Sequence, residues 1–413
     1  MKILVLPYTH TLSHLSRPLE ISKYLKAKGH DIHFAGNSQK IDFIKAEDFE
    51  LHPLFEPNPI TLFGNIRKGK IKFIENNIVI KMIDQDLDLF KSIRPDIIIS
   101  DGRFSAMISA QLAGIKHISI VNASSTAFRS IPYIPFIKAI DINVETDKNI
   151  CKKIFARFNL AVEKFIFNNT MSIFQKISSE KRLKTKVTAT NCLCGTDLTL
   201  IADMPDFFPT RNLPSNYIYI GPITWKSPTS QRLPAWWPVK KNRKKLVYIT
   251  MGTTGESGLF QKIYNTLKHI DNIIIVITTG NQSDNILSIP EKIYVTDFMD
   301  GDAIMDLCDL VICHGGNGTI YQALSHAVPI IGIPTIPDQN FNMRRVESLN
   351  LGHRISMKSA LEQPENIIKA IENIERNKKA YTASLTEIRQ VLSKMNGAKT
   401  GSEIILGYIR NIH

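Results

Sequence analysis

Little in this chain suits it to covalent cross-linking. Its 413 residues include five cysteines, at 151, 192, 194, 308 and 313, an odd number with no repeated Cys-x-x-Cys pair. Thiols scattered in this way argue for a reduced, cytoplasmic protein and against a disulfide framework or a zinc site. No apolar run approaches the roughly 20 residues that a membrane-spanning helix needs. The opening MKILVLPYTHTL holds one short apolar run, Ile3 to Pro7, too short for a secretory signal and suited to a first buried strand. Acidic residues are the scarcer charge, 38 against 51 basic ones, for a net charge of +13. That balance favours anionic partners such as a nucleotide diphosphate or an acidic lipid surface, although a lysine-rich composition would give it without any partner. No basic stripe interleaved with base-stacking aromatics is present, so nucleic acid is set aside. Apolar content of 43% with 22% charged residues describes a globular chain, and its length calls for more than one core.

The first third alternates strand-like and helix-like segments. Ile3–Leu6 is a strand, Tyr8–Ser16 a polar loop, Arg17–Lys28 an amphipathic helix stopped by Gly29, and Asp31–Ala35 the next strand. Such β-α-β units imply a parallel sheet with helices on its faces. Strand Asp96–Ser100 runs into Asp101-Gly102, then comes helix Ser105–Leu112, then strand His117–Val121. Between about Thr126 and Arg182 the rhythm breaks. Segment 151–176 reads as helical with Phe155, Phe158, Val162, Phe165 and Ile166 on one face and Lys152, Lys153, Arg157 and Lys164 flanking it. Core or the wall of a binding cleft is the expected role of that face, with an anionic membrane as the alternative. A proline-rich polar stretch, Gly221 to Lys245, is the best linker, and β-α-β alternation resumes after it. The chain therefore divides into an N-terminal domain (1–222), a linker (223–245), a C-terminal domain (246–390) and a last helix (391–413) packing back on the N-terminal domain.

The strongest local signal is DLVICHGGNGTIYQALSHAVPIIGIPTIPDQNFNMRRV, residues 309–346. Strand Asp309–Cys313 delivers His314 and a Gly-Gly-Asn-Gly-Thr turn to the start of a helix. Glycines let backbone N–H groups approach a ligand, the helix N-terminus adds positive potential, and Thr319 adds a hydroxyl. This is a cradle for a diphosphate, although glycine alone marks any tight strand–helix turn.

The full string is more specific. HGGNGT…AL…AVP…P…DQ…N…RV resembles the donor signature of GT-B glycosyltransferases of family GT1, related to UDP-glucuronosyl- and UDP-glucosyltransferases and including natural-product transferases. The resemblance spans nearly the whole chain. It implies an α/β, GT-B architecture of two Rossmann-like, doubly wound domains facing each other across a cleft. It places His314, Gly316, Asn317, Gly318 and Thr319 at the donor diphosphate and Asp338 and Gln339 at the sugar hydroxyls. Gln322 stands where the family has a ribose-binding glutamate; it keeps an acceptor, gains a donor and loses the charge, which leaves the choice between UDP and dTDP open. Phe298 occupies the base-stacking position, with a core phenylalanine as the competing role. Thr253 and Thr254 either reach the donor phosphates or cap a helix.

Inverting transfer needs a base for the acceptor hydroxyl, and a histidine backed by a carboxylate suits that task near neutral pH. SHLSRPLEISKYLKAKGH resembles the family segment whose catalytic histidine lies sixteen residues before a Gly-His, the spacing of His14 and His30. By that resemblance His14 is the base, Asp101 its orienting partner and His30 a structural residue, while His10 reads as a loop or pocket residue. Capping of the following helix is the plain alternative for Asp101. No metal ligand set and no cofactor are expected, and Asp300, Asp302 and Asp306 read as a lysine-balanced solvated cluster. The expected activity is metal-independent, inverting transfer of a hexose from a UDP- or dTDP-sugar to a hydroxyl of a small apolar acceptor. Glycolipid synthesis by peripheral contact at a membrane surface, or a catalytically silent sugar-nucleotide-binding protein, are the alternatives.

Overall fold

The computed structural model describes residues 1–224, 233–252, 257–280 and 286–411. They form two compact units, Met1–Ile223 with Asn396–His413 and Thr224–Met395. The first unit is built on β1 (Lys2–Pro7), β2 (Asp31–Gly36), β3 (Glu50–Pro53), β4 (Ile97–Asp101), β5 (Lys116–Val121), β6 (Leu198–Ile201) and β7 (Tyr217–Tyr219). Their order is β3-β2-β1-β4-β5-β6-β7, with every neighbouring pair parallel. The second unit holds β8 (Lys245–Thr250), β9 (Ile273–Thr278), β10 (Ile293–Thr296), β11 (Leu310–Cys313), β12 (Ile330–Gly332) and β13 (Gly352–Arg354), again parallel, in the order β10-β9-β8-β11-β12-β13. Both sheets are buried on two faces, which is why their central strands are near-continuous Ile, Leu and Val.

In each sheet the winding reverses at one place, between β1 and β4 in the first and between β8 and β11 in the second. Crevices at the carboxyl ends of strands beside such a switch point are where open α/β sheets bind ligands. The register sets Pro7 against Asp101 and Thr250 against Cys313 at those ends.

Helix Leu12–Ala27 begins five residues earlier than the sequence pattern suggests, so His14 sits in its first turn and the polar loop is shorter. One core face joins Leu15, Leu19, Ile21 and Leu25 of this helix to β1, β4 and β5 and to Ile405 and Ile409 of helix Gly397–Asn411. Gly401 permits that crossing, since a Cβ there would lie 2.9 Å from the Ile21 side chain.

The aromatic face of segment 151–176 is not core. The segment forms two helices, Ile150–Thr170 and Ile173–Glu180, and in the first Phe155, Phe158 and Phe165 are 63%, 62% and 67% exposed. Its buried residues are Ala156, Asn159, Leu160 and Asn168. Polar side chains anchor it: Asn159 Oδ1 accepts from the Phe136 N–H at 2.8 Å, and the Glu163 carboxylate accepts from the N–H groups of Tyr133 and Ile134. Periodicity reveals which residues share a face but not which way that face points.

Behind β4 lies a buried ion pair. Arg103 donates to Asp86 Oδ1 through Nε at 3.1 Å and Nη2 at 2.7 Å, and Ser105 and Ser109 donate to the other oxygen at 2.6 and 2.7 Å. All four side chains are buried. Removing one partner strands a buried charge, so Asp86→Ala is expected to destabilise the first unit by about 3–5 kcal/mol, measured by denaturant unfolding.

Candidate functional site

In the first unit the chemistry gathers where β1 and β4 end. Asp101 is fully buried, and three donors converge on it: His14 Nδ1 at 2.6 Å from Oδ1, Arg17 Nη2 at 2.6 Å from the same oxygen, and Arg17 Nε at 2.8 Å from Oδ2. His14 and Arg17 are one turn apart on the same helix, so a single carboxylate fixes both. An ionised carboxylate only accepts, which assigns the Nδ1 proton to His14 and turns its other ring nitrogen away from Asp101. The His14 side chain is 32% exposed while Asp101 is enclosed, so the imidazole is the part of this pair that a substrate can reach. Gly102 makes the approach feasible: its φ is +75°, and a Cβ would come within 2.9 Å of the imidazole.

Arg17 carried no signal as a site residue in the sequence. It reads as the first residue of an amphipathic helix, and only the fold shows its fork clamped on Asp101, with Nη1 donating to Asn122. Glu56 was also unforeseen. Buried beneath the β1 loop, it accepts from the N–H and hydroxyl of Thr9 and from the Asn37 N–H at 2.7 Å, tying that loop to the ends of β2 and β3. His10 borders this group. Burial, outweighing the Glu56 charge, moves its pKa below the ordinary histidine value. His30 lies at the far end of helix Leu12–Ala27, where Gly29 and His30 close the turn into β2.

In the second unit, β11 delivers His314, Gly315 holds φ +86°, and Gly316 is the N-cap of helix Asn317–Ser325. The His314 ring is flanked by glycines, since a Cβ on Gly252 or on Gly316 would lie 2.6 Å from it. It is buried, Nδ1 has no hydrogen-bond partner among the described residues, and burial lowers its pKa to about 4. The imidazole is therefore neutral at physiological pH, with one nitrogen able to donate to an incoming anion at a helix N-terminus. Gly318 and Thr319 fall in the first turn of that helix.

Asp338 and Gln339 open helix Pro337–Ser348. Asn342, to which the sequence reading gave no role, ties the two halves of the motif by donating to the Gly315 carbonyl at 3.0 Å while lying 3.5 Å from Asp338 Oδ2. Asp338 is half-buried, but Gln339 is buried and its carboxamide oxygen accepts from the Thr335 N–H and hydroxyl at 2.8 and 3.0 Å. Those two bonds tie the Gln339 side chain to its own loop. Gln322 is also engaged, its Nε2 donating to Asp302 at 3.0 Å. Within the acidic cluster, Asp302 and Asp306 both contact the His326 ring, and these contacts, Asp302 foremost, raise the pKa of His326, while Asp300 caps helix Gly301–Met305. Phe298, just beyond β10, is 39% exposed and so is not a core residue. Thr253 and Thr254 lie outside the described residues.

Comparison with known proteins identifies the family and the fold. Residues 261–404 match the family model described as erythromycin biosynthesis protein CIII-like, C-terminal domain. A PGL/p-HBAD biosynthesis rhamnosyltransferase of Mycobacterium bovis (strain BCG / Pasteur 1173P2) is 30% identical over 353 residues, covering 85% of this chain and 76% of that one. The chain belongs to the GT-B glycosyltransferases of family GT1. Among solved structures, the glycotransferase of kitacinnamycin superposes with a TM-score of 0.70 at 18% identity, covering 98% of both chains. The spinosyn rhamnosyltransferase SpnG complexed with thymidine diphosphate gives 0.68 at 15% identity, covering 98% of this chain and 100% of that one. The protein is thus a GT-B glycosyltransferase, and its two parallel sheets are the Rossmann-like domains of that fold.

Neutral His314 has a thermodynamic consequence. The unfolded chain takes up a proton at its histidine near the ordinary 6.5, whereas the folded ring does so only near 4. Below about pH 6.5 the unfolded state binds more protons, so stability falls as pH drops through that window and is unaffected above it. His314→Gln is expected to remove a component on the order of 1–3 kcal/mol at the acid end. Chemical unfolding of both forms at a series of pH values measures it, and parallel curves would count against a neutral buried imidazole.

Proposed function

We propose that this glycosyltransferase moves a hexose, by inversion, from a dTDP- or UDP-sugar to a hydroxyl of a small, largely apolar acceptor, with His14 as the base. The contact of His14 Nδ1 with the buried carboxylate of Asp101, at 2.6 Å, carries this reading. It leaves the outer imidazole nitrogen to take the acceptor proton while the acceptor oxygen attacks the anomeric carbon. Asp101 holds the ring in the required tautomer and balances the imidazolium that forms. Arg17 shares that carboxylate, so it positions Asp101 and disperses part of its charge.

On the donor side, His314, the backbone at Gly316 to Thr319 and the helix N-terminus supply donors where negative charge builds on the leaving diphosphate. No metal or other cofactor enters this reading. Asp338 is assigned to the sugar hydroxyls, Phe298 to the base and Gln322, already tethered to Asp302, to the ribose. A 6-deoxyhexose with a thymidine nucleotide is favoured by the rhamnosyltransferase relative and by the spinosyn enzyme with its thymidine diphosphate. In transfer assays pairing dTDP- and UDP-hexoses with apolar alcohols and phenols, His14→Ala should lower kcat by roughly 10²–10⁴-fold with the donor-induced thermal shift retained. Unchanged turnover would remove His14 from the role.

One observation favours a membrane-surface version of this chemistry. Helix Ile150–Thr170 presents Ile154, Phe155, Phe158 and Phe165 outward, with Lys152, Lys153, Arg157 and Lys164 beside them. A surface of that composition suits the interface of an anionic bilayer. Among the described residues no helix is long and apolar enough to cross a membrane, so contact would be peripheral. Flotation with phosphatidylglycerol vesicles, but not with phosphatidylcholine alone, is expected, and loss of it in Phe158→Asp/Phe165→Asp. Wild-type protein remaining at the bottom of both gradients would exclude this version while leaving the transfer reaction intact.

A further inference from the structure

The edge of the first sheet carries a second cluster of chemically capable side chains, at the amino ends of its strands and away from His14. The register pairs His33 of β2 with Glu50 of β3, and Ala35 with His52. Since alternate residues of a strand share a face, His33, Glu50 and His52 project together. His33 Nδ1 lies 2.9 Å from His52 Nε2 and 3.4 Å from Glu50 Oε2, and His52 Nε2 lies 3.3 Å from Glu50 Oε1. Behind them, Asp31 Oδ2 sits 3.1 Å from His33 Nε2.

With His33 neutral, hydrogen bonding alone leaves this group incompletely satisfied. With its Nε2 proton directed at Asp31, a neutral His33 turns a lone pair toward His52 and Glu50. A proton on His52 Nε2 can be shared with His33 or with Glu50, and the contact between the His33 lone pair and the Glu50 carboxylate then stays acceptor against acceptor. A divalent cation would satisfy all three donors together. Four-coordinate zinc at about 2.0–2.1 Å from nitrogen and oxygen sets neighbouring ligand atoms about 3.3–3.4 Å apart, close to the spacings here. A carboxylate on the remote nitrogen of a ligating histidine, the position of Asp31, orients the ring and raises its basicity.

We propose that His33, Glu50 and His52 form a binding site for a late first-row divalent cation of the zinc class, with Asp31 orienting His33. Two imidazoles and one carboxylate match that class in ligand type, whereas magnesium and calcium take oxygen sets. Lys2 is the cation that faces His52, and its ammonium is held by the Ile93 carbonyl at 3.2 Å. His33 is buried, while His52 and Glu50 have access to solvent, which gives the ion an entry route. The bound ion would join the edge strand β3 to β2, an alternative to the other devices by which exposed sheet edges are protected. This site does not depend on the transfer reaction.

The test is titration calorimetry of the full chain with zinc chloride, alongside cobalt(II) absorption as a direct report on coordination. One ion per chain is expected, with a tetrahedral cobalt spectrum and a rise in melting temperature on zinc addition. His52→Ala, at a partly exposed position, should abolish the spectrum and the thermal shift while the metal-free protein melts like metal-free wild type. Asp31→Asn should weaken affinity by about 10–100-fold. Absence of stoichiometric binding, or binding and spectrum unchanged in His52→Ala, would overturn the assignment.

Discussion

A carboxylate with no access to solvent has to be paired, and much of the first unit is arranged around meeting that requirement for Asp101. The parallel register of β1 and β4 puts it at the strand ends, and the fork of Arg17 takes both of its oxygens. Because Arg17 and His14 share a helix, the same ion pair that makes Asp101 tolerable also sets the imidazole in place. Gly102 removes the side chain that would occupy the space of the ring. Beneath it, the Arg103–Asp86 pair secures the turn that follows. The candidate base is thus held by the same contacts that keep Asp101 paired.

The second unit also places a histidine beside the switch point of its own sheet, directly after β11, and treats it differently. His314 has no carboxylate partner among the described contacts; burial alone keeps it neutral, and glycines on either side let the backbone close around it. A histidine backed by a carboxylate suits proton acceptance. A desolvated neutral one beside a helix N-terminus suits donation to an anion without competing for a proton. Two sheets of like topology therefore present one residue type in two electrostatic settings, and the proposed division of labour between acceptor and donor chemistry rests on those settings.

Helix Ile150–Thr170 shows where pattern reading stops. Its aromatic spacing is helical and the helix exists, but the side facing the body is formed by Ala156, Leu160 and two asparagines, and the aromatics point outward. Hydrogen bonds that Asn159 and Glu163 accept from backbone N–H groups of a preceding loop decide that orientation. No periodicity encodes such contacts, because the partners are more than twenty residues apart and are loop amides. The same limit applies to Gln339, whose bonds to Thr335 within its own loop no spacing announces.

Residue order alone was enough for the α/β class, most strands, the glycine turn after β11 and the family, because these rest on local periodicity and on contiguous motif spacing. It also singled out His14 and Asp101, 87 residues apart, by resemblance. Folding was needed to show that Arg17 shares Asp101, that Glu56 anchors the β1 loop, that His314 is neutral, and that His33 and His52 meet across a strand pair. Those facts depend on register and burial, which arise when distant segments exclude water together and have no signature in the spacing of residues along the chain.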